Sequence, residues 1–114
     1  LLLVCTNNDN ELLLILSFDG FRYDYLNRQL TPTLMSLKKN SSYAPYMIPV
    51  FPTLTYPNHH SIATGLYPEV HGVLDNIVYD NTTKRVLRYG YEIYHYNDDV
   101  VPLWIQNENA GENR

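Results

Sequence analysis

The chain has 114 residues, 45% of them hydrophobic and 18% charged, enough apolar material for one folded domain and too much for a disordered tail. Its net charge is −4, and it has no basic run, which excludes a protein that grips a nucleic-acid backbone. A single cysteine, Cys5, rules out a disulfide within the stretch.

Leu1 to Cys5 read as the tail of an apolar segment, followed by a polar lead-in to residue 11. The expectation is the end of a secretory signal or of a membrane anchor, with a short buried strand as the alternative. Leu12 to Phe18 is a continuous apolar run closed by Asp19-Gly20. Such a run suits a buried strand of a parallel sheet, and its carboxyl end delivers Asp19, where open α/β sheets bind ligands. Thr31-Pro32 starts a helix, with Thr31 as cap and Lys38-Lys39 at its negative end. Tyr43 to Phe51 reads as extended and irregular, because Pro45 and Pro49 cannot donate to a ladder.

A second helix is expected from Thr55, with Thr55 as cap and His59, Ile62, Ala63 and Leu66 as a buried stripe. Gly65 would help to end it. Ile77–Tyr79 and Arg85–Tyr89 flank a polar loop and predict a hairpin. A last helix runs through Leu103, Trp104 and Ile105, capped by Asp98 or Asp99, with Gly111 beyond its end. Strand, helix, strand, helix predicts an α/β fold.

Four residues could carry chemistry. Thr55, at a helix start, sits in the positive end of the helix dipole, where an alkoxide or a phosphate oxygen is favoured; a plain N-cap is the alternative. Asp19 could give a metal a hard oxygen ligand, or simply occupy a turn. Asn76 could donate an amide N–H to an oxyanion, or again be a turn residue. Tyr56 could offer its ring to a flat substrate group. His59, His60 and His71 read as structural rather than metal-ligating. Asn40-Ser41-Ser42 and Asn81-Thr82-Thr83 are glycosylation sequons in polar turns, which favours a secreted or lumenal protein.

Taken together, SFDGFR at 17–22, TPTL at 31–34, FPTLTYPNHHSIATGLYPEVHG at 51–72 and DN at 75–76 resemble the ectonucleotide pyrophosphatase/phosphodiesterase family of the alkaline phosphatase superfamily. The agreement in order and spacing runs from about Leu12 to the end. The resemblance implies an alkaline-phosphatase-like α/β fold, a mostly parallel sheet flanked by helices, incomplete in this stretch. It also implies an extracellular protein, secreted or anchored at the cell surface. Position by position, it implies that Asp19 binds a metal and that Thr55 is the nucleophile and also contacts a metal. It implies that Asn76 holds a phosphate oxygen and that Tyr56 packs on the base of a nucleotide. Two zinc ions are implied, with their remaining ligands expected downstream of Arg114. The substrate would be a small phosphodiester such as a nucleotide, and the reaction would pass through a phosphothreonine ester.

One position departs from the pattern. Many members carry a lysine just before the nucleophile, where this chain has Leu54, and loss of that cation is expected to alter rate or substrate preference. Because the remaining zinc ligands are expected downstream of Arg114, residues 12–114 are expected to form the N-terminal part of a catalytic domain, inactive in isolation. The alternatives are a catalytically inactive surface or binding protein on the same fold, or a choline-phosphodiester hydrolase. A sulfatase or phosphomonoesterase cousin is disfavoured, because no cysteine or serine stands in the Thr55 slot.

Overall fold

The computed structural model describes residues 2–7, 12–88, 90–95 and 97–111. The chain divides into two compact units, Leu1–Ile48 and Pro49–Arg114.

In the first unit, strands β1 (Leu2–Asn7) and β2 (Leu12–Ser17) pair antiparallel, from Leu2 opposite Ser17 to Asn7 opposite Leu12. Among the described residues β2 thus has an antiparallel partner and not the parallel one expected for it. So short a connection can only return a strand antiparallel, since a parallel crossover takes a dozen residues or more. Nor is β2 enclosed: Leu13 and Leu14 are 50% and 47% exposed, so neighbouring side chains on its two faces both reach solvent. Among the described residues the strands form two two-stranded antiparallel sheets and no parallel pair.

After β2 the chain turns at Asp19-Gly20, with Gly20 at φ 63°, the left-handed region that glycine tolerates. Phe18, Phe21 and Tyr25 form an aromatic row at centroid spacings of 5.9 and 5.6 Å, and the Arg28 guanidinium lies 4.3 Å from the Tyr25 centroid. Helix α1 (Pro32–Lys39) starts at the expected proline and carries Lys38 and Lys39 in its last turn. Thr31 holds the cap position without a side-chain bond to the helix. Residues 42–50 have no regular structure apart from a bend at Pro45.

The second unit contains α2 (Thr55–Thr64), α3 (Pro68–His71), strands β3 (Val78–Asp80) and β4 (Arg85–Leu87), α4 (Tyr91–His95) and α5 (Leu103–Asn109). The β3–β4 hairpin is present as expected, although Tyr89 lies outside the described residues. Buried Val73, Leu87 and Ile93 form its core, with Tyr56, Val78 and Tyr94 packed against them. Three expectations change. Leu54, not Thr55, is the cap residue of α2. Pro102, not Asp98 or Asp99, precedes α5, because Asp98 and Asp99 sit in a turn where the Asp99 N–H donates to Asn97 Oδ1 at 3.1 Å. The buried residues of α2 are Pro57 and His60, whereas His59, Ile62 and Ala63 are half-buried. A count of apolar side chains misses a helix face that buries an imidazole.

Candidate functional site

Thr55 is the first helical residue of α2 and is half-buried. The opening N–H groups of a helix have no partner inside it, and a side chain at the cap position often accepts from them. Leu54 has no such side chain. The carboxamide of Asn76 takes over: the Tyr56 N–H donates to Asn76 Oδ1 at 3.0 Å. Because the donor is an N–H, the atom it meets must be the oxygen, and the amino group Nδ2 is the other terminus. Asn76 is also held by its backbone, whose N–H donates to Asp75 Oδ1 at 2.6 Å. The fold thus brings together three of the four site residues expected from the sequence: Thr55, Tyr56 and Asn76. They supply a hydroxyl at a helix start and a carboxamide tied to the next residue of that helix. Tyr56 is half-buried, and its ring meets Tyr94 edge-on at 6.0 Å.

Asn58 is a residue that sequence reasoning passed over. Its Oδ1 accepts from the Val50 N–H at 2.8 Å. Its Nδ2 lies 2.9 Å from the carbonyls of Pro52 and Leu54, and 3.3 Å from that of Val50. One side chain thereby ties down the segment that leads into Thr55. An asparagine inside a helix, just after prolines that cannot donate, is the signal that could have found it.

A histidine cluster lies beneath α2. The His60 and His71 rings meet edge-on at 4.7 Å, and His60 lies 5.1 Å from Tyr94. Burial, reinforced by the nearby His71 and His95, pushes the His60 pKa down to about 4. Burial also lowers His71, although backbone hydrogen bonds and the Glu69 charge partly oppose it. The Val73 N–H donates to His71 Nδ1 at 3.1 Å, so the neutral ring carries its proton on Nε2, 3.0 Å from Ser61 Oγ. In that tautomer His71 donates towards Ser61 and cannot serve as its base. His71 is thus tied to Ser61 and to the Val73 backbone.

Asp19 belongs to the first unit, exposed at the end of β2. A carboxylate is an oxygen donor of a kind that zinc accepts. Among the described residues, however, no group of three or more His, Cys, Asp or Glu side chains could hold a metal. Zinc is normally held by at least three protein ligands, so residues beyond the described ones would have to complete any such centre.

Both sequon asparagines are exposed. Asn40 Nδ2 donates to the Ser36 carbonyl at 3.2 Å, and Asn81 sits in the β3–β4 turn, where its Oδ1 accepts from Lys84 Nζ at 2.7 Å. Among the described residues, no helix is long and apolar enough to cross a membrane.

Comparison with known proteins supplies the wider context. Residues 13–113 match the family described as type I phosphodiesterase/nucleotide pyrophosphatase. The chain is 47% identical over 109 residues to an uncharacterised pyrophosphatase/phosphodiesterase of Schizosaccharomyces pombe, a match covering 90% of this chain and 22% of that protein. It is 41% identical over 106 residues to a bis(5'-adenosyl)-triphosphatase of Xenopus laevis, covering 93% of this chain and 24% of the relative. The chain therefore spans less than a quarter of the length of either. Among solved structures, mouse ectonucleotide pyrophosphatase/phosphodiesterase 5 superposes with a TM-score of 0.72 at 35% identity, over 83% of this chain and 26% of that one. That structure is of an inactive threonine-to-alanine variant in complex with AMP.

Proposed function

Because the chain belongs to the type I phosphodiesterase/nucleotide pyrophosphatase family, we propose that it forms part of an enzyme that hydrolyses nucleotide phosphodiester or pyrophosphate bonds with Thr55 as nucleophile. The observation that carries this reading is the Tyr56 N–H bond to Asn76 Oδ1. It ties an amide donor to the helix whose first residue is the hydroxyl.

In this mechanism Thr55 Oγ1 attacks phosphorus and the first alcohol or phosphate group leaves. The product is a phosphothreonine ester, which water then hydrolyses. The Asn76 amino group donates to a phosphoryl oxygen as negative charge builds there. The α2 dipole favours the same charge. Tyr56 would pack on the nucleotide base with whatever part of its ring is not engaged with the core. Two zinc ions, when bound, would supply Lewis acidity and lower the pKa of the attacking hydroxyl and water. Asp19 and Thr55 are the residues of this chain that would contact them. The inactive mouse variant with AMP supports both the threonine role and a nucleotide substrate. The two sequons support a secreted or cell-surface location.

A second reading is a relative that binds nucleotides without turnover, favoured by Leu54 in the slot before Thr55. The test is Thr55→Ala in the full-length protein. Turnover of a nucleotide phosphodiester should fall by about 10³-fold or more, with AMP binding retained. Turnover within about tenfold of wild type would remove Thr55 from the chemistry. A wild-type protein with no turnover would favour the binding reading, and one that cleaves only choline phosphodiesters would redirect the substrate class.

A further inference from the structure

We propose that Asn58 is a positioning residue for the Thr55 hydroxyl, its carboxamide fastening residues 50–54 to the first turn of α2. The proposal rests on Thr55 being the nucleophile.

The segment that feeds α2 has few means of holding itself. Pro49 and Pro52 have no N–H to give, and Pro57 leaves another gap in the helix's first turn. Within 50–54, the Leu54 N–H does reach the Pro52 carbonyl at 2.8 Å. Among the described residues the other ties run to Asn58, whose own N–H also reaches the Leu54 carbonyl at 3.3 Å. Its carboxamide pairs with both the N–H and the carbonyl of Val50, much as a second peptide group would, and also donates to Pro52 and Leu54. Three carbonyls share its two amide hydrogens, so at least one of these bonds is divided.

Asn58 lies one helical turn after Thr55, so its anchor is a rigid element. The strap it holds ends at Leu54, whose backbone sets the direction in which the chain enters Thr55. All these bonds are local and half-buried, and none involves the core residues Val73, Leu87 and Ile93. Loosening the strap should therefore disturb the hydroxyl more than the fold. A misplacement of about 1 Å from the productive geometry can cost about 10²-fold in rate.

Asn58→Asp is the sharpest probe. It keeps the acceptor for Val50 and sets a carboxylate against three carbonyl oxygens. In the full-length protein, with a chromogenic nucleotide phosphodiester, kcat should fall about 10- to 100-fold, while KM and AMP affinity stay within about 2-fold. When protonated, the new carboxyl can donate one bond, so the ratio of variant to wild-type kcat should rise as pH is lowered. Asn58→Ala, which lacks the repulsion, should show the same kcat loss at unchanged KM and serves if the first variant does not fold.

Wild-type kcat in either folded variant overturns the proposal. So does a loss of rate that is no larger than the unfolded fraction and keeps a flat ratio with pH. Thr55→Ala separates the two ideas. If it retains turnover, the nucleophile reading and this one fall together. If it is inactive while Asn58→Asp turns over normally, only the positioning role fails.

Discussion

The Tyr56 N–H donates to Asn76 Oδ1 at 3.0 Å, so the helix that begins with Thr55 is capped by a side chain from 20 residues downstream. The Asn76 oxygen closes the helix, and its amino group is the donor we propose for the phosphoryl oxygen. Substitution can separate them. Asn76→Asp keeps the acceptor and loses the amide donor, and is expected to lower kcat about 10²-fold or more with little thermal shift. Asn76→Ala loses both, adding about 1 kcal/mol of destabilisation for the missing cap. Denaturant midpoints and kcat, measured on the full-length proteins, should diverge in this way. Equal activity for wild type and Asn76→Asp would exclude the donor role.

His60 gives the fold an acid-sensitive point. Its pKa is about 4 in the folded chain against an ordinary 6.5. Above 6.5 the ring is neutral in both states and its burial carries no proton penalty. Between 6.5 and 4 the unfolded chain takes up the proton and the folded chain does not, so stability is lost as pH falls across that window. Below about 4 both states are protonated and this contribution levels off. Burial is the main cause, His71 and His95 add to it, the Tyr94 ring lies 5.1 Å away, and Glu69 acts on His71 next to it. Thermal midpoints of wild type and His60→Gln should therefore converge between neutral and acid pH. Parallel pH profiles would show that His60 is not the titrating group.

Asp19 should matter through metal. In the full-length protein, Asp19→Ala is expected to reduce bound zinc and turnover together, read by elemental analysis alongside kinetics. Undiminished zinc would remove Asp19 from the ligand set. For the 114-residue chain alone, added zinc should give no turnover, since its described residues offer no three-ligand group. Turnover from that piece would contradict the need for ligands from elsewhere.

Asn81 is expected to carry an N-glycan in protein taken from the secretory pathway. It is exposed in a turn ordered by Asp80, whose carboxylate accepts from the Thr82 N–H at 2.9 Å and from the Thr83 hydroxyl. A sugar there would project from the hairpin tip, away from the ladder between Val78 and Leu87. Peptide mass mapping after glycosidase treatment in heavy water should mark Asn81. An unmarked Asn81 peptide would count against the site.

Much of the local structure follows from neighbouring residues. Pro32 and Gly65 bound helices because proline suits a first turn and glycine tolerates a left-handed end. The polar run from Asp80 to Lys84 makes a hairpin because its side chains bond their own backbone. The types and order of the site residues are equally local, and they carried the family resemblance from SFDGFR to DN at 75–76. Other features needed the folded chain. No pattern around Leu54 reveals that its missing cap is supplied by Asn76, because that bond joins residues far apart in sequence. Nor does apolar periodicity show that α2 buries His60 in place of His59, since that depends on where His71 and Tyr94 stand. The apolar run of β2 suits either sheet type, and its antiparallel partner β1 was fixed by a connection too short for a crossover.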